Sequence, residues 1–234
     1  MIAIVAALEQ ELGPLRRRLA TRPGEGATGL HLCCGELGGK ALLLERTGLG
    51  PAHAQTAVAS LLEQHELKAI LSIGFAGAVR PDLRRGDLII ASQVHAAPER
   101  PDKEPPVLPD GLECDPGLVE LAVATAEQQG LAFQLGRSLT VPTTVTDRPT
   151  KERLGHRWPT AVVEMESYWI GRVAAGQAIP FLTVRAVSDT LGDTLPDFGG
   201  VLDAGRGFHA AADIHRPRPY SLHRQRDIVR VKPA

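Results

Sequence analysis

Short apolar runs alternate with segments of helical periodicity along most of this chain. The run Ile2–Ala6 is rich in β-branched residues, and Leu8, Leu12, Leu15 and Leu19 follow it at helical spacing. The same alternation predicts further strands over residues 30–34, 41–44, 69–73, 87–91, 133–141, 161–163 and 181–184, and helices over 52–66, 115–129 and 165–175. Several of these strands are apolar on both faces, as in a sheet covered by helices. The sequence therefore predicts an α/β sandwich around a parallel or mixed sheet.

The length of 234 residues is sufficient for one substantial core, and we assign residues 1–202 to a single domain. Six prolines fall between His95 and Pro116, so this stretch is predicted to be irregular and is a candidate substrate-covering loop. Residues 203–234 form a tail rich in Arg, His, Pro and Gly, without an apolar stripe that would hold a helix against the core. We expect this tail to be disordered or to contact a partner.

The charge balance argues against several kinds of partner. Lys and Arg number 26 and Asp and Glu 27, so no overall field attracts nucleic acid or an anionic membrane. No apolar run approaches the ~20 residues that span a bilayer, and the N-terminus lacks a basic leader. The three cysteines have neither the spacing of a disulfide framework nor that of a zinc site. We expect a cytoplasmic protein that binds a small molecule and holds no metal ion.

Polar or glycine-rich segments follow several of the predicted strands, where ligands bind in open α/β sheets. They are Glu9 with Glu11, Gly48-Leu49-Gly50, Gly74-Phe75-Ala76-Gly77, Glu164-Met165-Glu166, and Ser188-Asp189. Each has an ordinary structural explanation when taken singly. Acidic residues complement a helix dipole, glycines permit tight turns, and Ser-Asp after a strand commonly forms a turn or a helix cap.

The order and spacing of these segments favour a functional explanation. Ser72-Ile-Gly-Phe-Ala-Gly-Ala78, Arg85-Gly-Asp-Leu88, Val162-Val-Glu-Met-Glu-Ser167 and the stretch from Pro180 to Asp189 resemble motifs of the purine nucleosidase and nucleoside phosphorylase superfamily. The resemblance runs from about residue 2 to residue 190. It is closest to the methylthioadenosine/S-adenosylhomocysteine nucleosidases and to the hopanoid-associated and futalosine enzymes. It implies a three-layer α/β/α sandwich around a mixed central β-sheet, and cleavage of the N-glycosidic bond of a purine nucleoside.

The resemblance implies roles for three carboxyl groups. Glu11 matches the carboxylate that deprotonates the attacking water, and Glu166 matches the one that accepts hydrogen bonds from the ribose hydroxyls. Asp189 matches the acid that protonates the departing base. These types suit the chemistry, because the ribose gains positive charge while the base gains negative charge in an oxocarbenium-like transition state. We expect burial to keep Asp189 protonated, and we expect activity but not the fold to depend on it.

Further positions are substrate-binding by the same resemblance. Met165 packs on the ribose, and Phe75 lies on a loop that walls the base and ribose pocket. Val145, within Thr144-Val-Thr146, falls where the superfamily contacts the base through its backbone. Ser188, beside Asp189, completes the predicted substrate-binding set. The resemblance implies no cofactor and favours a homodimer.

The choice between hydrolysis and phosphorolysis depends on what binds phosphate. Phosphorylases of this superfamily place an arginine and a serine at positions that match Ser72 and Phe75 respectively, so neither of these residues suits phosphate. Arg46 is a possible phosphate ligand, since arginine binds phosphate through its planar fork. Glu11 would repel phosphate and accept a proton from water, which favours hydrolysis. Phosphorolysis, including a hopanoid-associated type, and a non-catalytic nucleoside-binding homologue are the alternatives, and the group at the 5′ position stays open.

Overall fold

The computed structural model describes residues 1–19, 21–23, 32–98 and 111–196. The predicted tail, residues 203–234, lies outside this range, as do residues 99–110 of the proline-rich stretch. The described strands are β1 (Ile2–Ala6), β2 (Arg22–Pro23), β3 (Leu32–Leu37), β4 (Lys40–Arg46), β5 (Ala69–Ala78), β6 (Leu88–Ala96), β7 (Leu112–Glu113), β8 (Phe133–Thr140), β9 (Val162–Glu164) and β10 (Phe181–Asp189). The helices are α1 (Glu9–Leu19), α2 (Pro51–Gln64), α3 (Pro116–Gln128), α4 (Arg148–Arg157) and α5 (Ser167–Gly176).

The strands form one mixed sheet with the order β10-β6-β8-β9-β5-β1-β4-β3-β2. β1 is parallel to both β4 and β5, and β5 is parallel to β10. β10 also pairs with β6 in the antiparallel sense, so the strands from β5 through β9, β8 and β6 to β10 close into a ring. The carboxyl ends of β1, β4, β5 and β10 consequently point to the same edge of the sheet.

Alternate residues of the strands pack against different helices, which places helices on both faces of the sheet. Ala3 and Val5 of β1 belong to a buried cluster that includes residues of α2, α3 and α5. Ile4 and Ala6 belong to another buried cluster, with Leu12 of α1. This alternation follows from the period of two in a β-strand. The predicted three-layer α/β/α sandwich is confirmed.

The local signals predicted most elements well. Asp115 begins α3 as its N-cap, with its side chain accepting a hydrogen bond of 2.9 Å from the backbone N–H of Leu118. Pro116 occupies the first turn, where a missing N–H costs nothing. The prediction of an irregular stretch after His95 was wrong in part, because β6 continues to Ala96 and β7 pairs with it. Helix α4 was not predicted.

Among the described residues, no helix is both long enough and apolar enough to cross a membrane.

Candidate active site

Glu11 lies in the first turn of α1, directly after β1, and reaches across to β5. Its Oε1 accepts a hydrogen bond of 2.8 Å from the backbone N–H of Phe75, and its Oε2 accepts one of 2.8 Å from the N–H of Leu8. Burial raises the pKa of Glu11, while these N–H groups and the charge of Arg185 act in the opposite direction. The carboxyl group is thus fixed at the edge of the sheet and holds a proton more readily than an ordinary glutamate.

Gly74 leaves the space that Glu11 occupies. A Cβ atom at position 74 would lie 2.5 Å from Oε1 of Glu11, which is closer than real Cβ contacts allow. The Gly-rich segment of β5 therefore has a specific function, because it lets a carboxylate from another element approach the strand backbone. The alternative that these glycines serve only a tight turn does not account for this contact.

Glu164, at the end of β9, lies in a buried polar network. Its Oε2 lies 3.0 Å from Nη2 of Arg185 and accepts hydrogen bonds from the backbone N–H and the hydroxyl group of Ser167, both of 2.7 Å. Thr140 donates a short hydrogen bond to Oε1. Arg185 also donates to the hydroxyl oxygens of Ser72, at 2.9 Å, and Ser167, at 2.6 Å. This network anchors the Glu164-Met165-Glu166 segment to β5, β8 and β10.

Glu166 is buried next to that network, and its Oε1 accepts a hydrogen bond of 2.8 Å from the backbone N–H of Gly50. Burial raises the pKa of Glu166 to about 8, and the neighbouring carboxylate of Glu164 contributes in the same direction. For Glu164 itself, burial is outweighed by Arg185 and by the hydrogen bonds from Thr140 and Ser167, so its pKa lies below the usual range. Glu164 is therefore the charged member of the pair, and Glu166 is neutral near pH 7.

Asp189 ends β10 opposite Gly77 of β5. Its Oδ1 accepts a hydrogen bond of 2.6 Å from the hydroxyl group of Ser188, and its Oδ2 lies 2.5 Å from Nζ of Lys151. Lys151 is fully buried on α4. The buried carboxyl group of Asp189 is therefore in direct contact with an ammonium group.

Phe75, Met165 and Val145 are the predicted apolar residues of the pocket wall. Phe75 is 48% exposed although it is a large apolar side chain, and its backbone N–H contacts Glu11. Val145 and Met165 pack against one buried cluster, and the hydroxyl group of Thr144 lies 3.6 Å from Sδ of Met165. Phe75 therefore lies beside the carboxyl group of Glu11, whereas Val145 and Met165 lie against the cluster that contains Val163 of β9.

The two residues relevant to phosphate have different surroundings. Ser72 is buried and its hydroxyl oxygen accepts a hydrogen bond from Arg185, so it belongs to the network beneath the site. Arg46 ends β4 opposite Ala6 of β1 and lies near Glu45. Burial raises the pKa of Glu45 to about 7, and Arg16 and then Arg46 oppose that shift. A phosphate ligand role for Arg46 stays a prediction.

Comparison with known proteins identifies the family. Residues 1–212 match the family model described as the phosphorylase superfamily. The chain belongs to this superfamily. It is 31% identical over 199 residues to a 5'-methylthioadenosine/S-adenosylhomocysteine nucleosidase of Geobacillus thermodenitrificans, which covers 82% of this chain and 84% of that relative.

Solved structures agree with the fold of this superfamily member. A 5'-methylthioadenosine/S-adenosyl homocysteine nucleosidase of Campylobacter jejuni superposes with a TM-score of 0.74 at 23% identity, covering 85% of this chain and 90% of that one. The enzyme of the same name from Neisseria meningitidis, in complex with methylthio-immucillin-A, superposes with a TM-score of 0.72 at 25% identity, covering 82% and 86%. These likenesses extend well beyond the site motifs.

The sequence of this superfamily member predicted no role for two buried charged residues, Arg185 and Lys151. Arg185 lies within one of the motifs, but its burial against Glu164 depends on how β9 and β10 both pair with β5. Lys151 lies on α4, whose start carries the same signal as α3: Asp147 accepts a hydrogen bond of 2.9 Å from the N–H of Thr150, and proline follows in the first turn. That signal predicts the helix, although it does not predict that Lys151 is buried.

Proposed function

We propose that the chain hydrolyses the N-glycosidic bond of an adenosine-type nucleoside. The observation that carries this proposal is that Glu11 and Asp189 both contact the same Gly-rich strand, β5, at Gly74 and Gly77. Two carboxyl groups held along one strand edge suit a reaction in which one accepts a proton and the other donates one. The relatives named as nucleosidases support this assignment.

In the proposed reaction, the bond between C1′ of the ribose and the base nitrogen breaks, and its electron pair stays with the base. Asp189 donates a proton to the base as it leaves. A water oxygen bonds to C1′ and gives up a proton to the carboxylate of Glu11. Glu166 binds the ribose hydroxyls, where its hydrogen bonds position the sugar.

The surroundings of Glu11 support water over phosphate as the nucleophile. A phosphate dianion in a partly buried site requires cationic or multiple donor partners, since burying an unpaired charge is strongly unfavourable. Here the serine hydroxyl of β5 is engaged by Arg185, and the carboxyl group of Glu11 occupies the space at Gly74. Arg46 would be the phosphate ligand if phosphorolysis were the reaction.

The test is base release from a panel of nucleosides, measured by chromatography. The panel starts with 5'-methylthioadenosine and S-adenosylhomocysteine, which the relatives' names specify. We expect wild-type turnover of at least one, and a loss of about 10²–10⁴-fold in kcat for Glu11→Gln. Glu9→Gln is the matched control, since Glu9 lies on the same helical turn but pairs with Arg16 at the surface. No base release from any nucleoside, as for a binding homologue, would overturn the proposal.

We also propose that the active form is a cytoplasmic homodimer. Exposed leucines support a protein–protein interface, since Leu121 of α3 is 64% exposed and Leu135 of β8 is 54% exposed. The free thiols of Cys33, Cys34 and Cys114 suit a reducing compartment. Light scattering of the purified protein tests the dimer, and the mass of a monomer at micromolar concentration would contradict it.

A further inference from the structure

Lys151 is a fully buried lysine whose ammonium group has three oxygen neighbours. Its Nζ donates hydrogen bonds to the backbone carbonyls of Thr190, at 2.8 Å, and Asp193, at 3.0 Å. The third neighbour is Oδ2 of Asp189, at 2.5 Å. Lysine is almost never fully buried unless it is paired, because removing an ammonium group from water is costly. The position of Lys151 therefore requires the carboxyl group that it contacts.

Asp189 is in turn engaged at both of its oxygens. Ser188 donates its hydroxyl proton to Oδ1, and the ammonium group of Lys151 faces Oδ2. The Asp189 carboxyl group is consequently held from two sides, by the hydroxyl group of its neighbour and by a buried ammonium group.

We propose that Lys151 is a positioning residue that fixes the direction of the Asp189 carboxyl group, the acid of the proposed reaction. This proposal rests on the proposed function, since it requires Asp189 to act as the acid. Lys151 also links Asp189 to the turn that follows it, through the carbonyls of Thr190 and Asp193. Its charge and its anchoring contacts are therefore separable by mutation.

The other groups around Asp189 do not supply a competing charge. β5 and β9 present Gly77 and Val163 to it, which are uncharged. The side chain of Asp193 is bound elsewhere: Oδ2 accepts hydrogen bonds from the backbone N–H and hydroxyl group of Thr190, and Oδ1 lies 2.8 Å from Arg85. In the part of the chain that the structure describes, Lys151 is thus the charged side chain in contact with the Asp189 carboxyl group.

The experiment compares the pH profiles of kcat and KM for wild type, Lys151→Gln and Arg85→Ala on a nucleoside that the wild type cleaves. Lys151→Gln removes the charge but keeps a hydrogen-bond donor. Arg85→Ala loosens the same turn, through Asp193, without touching Asp189. Lys68→Met, at an exposed position, controls for the loss of a lysine elsewhere.

We expect kcat of Lys151→Gln to fall by about 10-fold or more across the pH profile, with KM within about 3-fold of wild type, since the acid is no longer held in place. Arg85→Ala and Lys68→Met should keep kcat within about 3-fold of wild type. An unchanged kcat in Lys151→Gln would overturn the proposal.

A second variant covers the case in which Lys151→Gln does not fold. Lys151→Arg keeps the positive charge but cannot keep the same three oxygen contacts in the buried space, so its kcat should also fall by about 10-fold or more. A wild-type kcat in Lys151→Arg would overturn the proposal. If the wild type releases no base from any nucleoside, the proposed function fails instead. That result differs from the outcomes for Lys151 because it is seen in the wild type.

Discussion

Oε1 of Glu166 accepts a hydrogen bond of 2.8 Å from the backbone N–H of Gly50, which lies 116 residues earlier in the chain. Gly50 has a φ of 86°, a conformation that favours glycine, and it is the N-cap of α2. The Gly48-Leu49-Gly50 turn and the Glu164-Met165-Glu166 segment are therefore parts of one site. Each taken singly had an ordinary structural explanation, and their contact shows that the turn also holds a buried carboxyl group.

The raised pKa of Glu166 predicts a pH-dependent cost to stability. Because its pKa is about 8 in the folded protein against the ordinary 4.5, the folded state binds the extra proton between these values. The stabilising effect of the protonated group is complete below about pH 4.5 and is lost as the pH rises to about 8. Glu166→Gln has no carboxyl group to deprotonate at this position. Its free energy of unfolding should therefore rise relative to that of the wild type as the pH increases from about 4.5 to about 8.

Urea unfolding at pH 5 and at pH 8.5 measures this difference. Glu11 and Glu45 remain in both proteins, so their own raised pKa values largely cancel in the comparison. Glu120→Gln, at an exposed position on α3, is the control and should follow the wild type. A constant difference between Glu166→Gln and wild type at the two pH values would contradict the pKa of Glu166.

Glu166→Gln should also discriminate between sugars. If Glu166 binds the ribose hydroxyls, its loss removes more from a normal nucleoside than from the 2′-deoxy analogue, which already lacks one partner. The ratio of kcat/KM values between the two substrates should therefore shrink by about 10-fold, since one hydrogen bond contributes up to about 1.5 kcal/mol. Equal losses for both substrates would remove this role from Glu166.

Gly74→Ala should impair catalysis while leaving the fold intact. The added Cβ would lie 2.5 Å from Oε1 of Glu11, so the carboxylate must move and lose its hydrogen bond from Phe75. We expect kcat to fall by about 10–100-fold, the range for a misplaced catalytic group. Gly176→Ala is the matched control, because a Cβ there has nothing within 4 Å. Equal kcat values for the two variants would show that Gly74 does not position Glu11.

Asp189→Asn should destabilise the protein as well as inactivate it. The sequence alone predicts that the fold does not depend on Asp189, but the substitution leaves the ammonium group of Lys151 buried without its counter-ion. Breaking one partner of a buried pair costs about 3–5 kcal/mol. Asp82→Asn, which breaks an exposed pair with Arg80, should cost about 1 kcal/mol or less. A native melting temperature for Asp189→Asn would contradict the buried pair.

The elements that the sequence predicted are those with strong local patterns. β1 carries a continuous apolar run and α3 a complete helix-start signal, so the local sequence is enough to predict both. α4 has that start signal at Asp147 and Pro149, but its described core contacts come from few apolar side chains, chiefly Leu154 and the following Trp158. Its packing against the sheet therefore depends on tertiary contacts that a single-sequence pattern does not contain.

The candidate site divides in the same way. The order of the motifs was enough to place Glu11 and Asp189 at one edge, because β1, β5 and β10 are parallel and share their carboxyl edge. Glu166 follows β9, which runs antiparallel to β5, so its position depends on how β9 pairs in the fold. The contact between Lys151 and Asp189 joins residues of two elements whose relative position is set by packing. The proton preferences of Glu164 and Glu166 likewise follow from Arg185, a strand away, and no local pattern indicates which of two nearby glutamates is charged.

Analysis of the sugar product tests the central claim most directly. The purified protein is incubated with 5'-methylthioadenosine, or another nucleoside that it cleaves, without and with added phosphate, and the sugar is identified by mass spectrometry. The account predicts a free sugar with no phosphate ester, formed at a rate that phosphate does not change and that Glu11→Gln lowers by about 10²–10⁴-fold. A sugar 1-phosphate that forms only with phosphate, at a rate that survives Glu11→Gln, would contradict hydrolysis and make Arg46 the next residue to test.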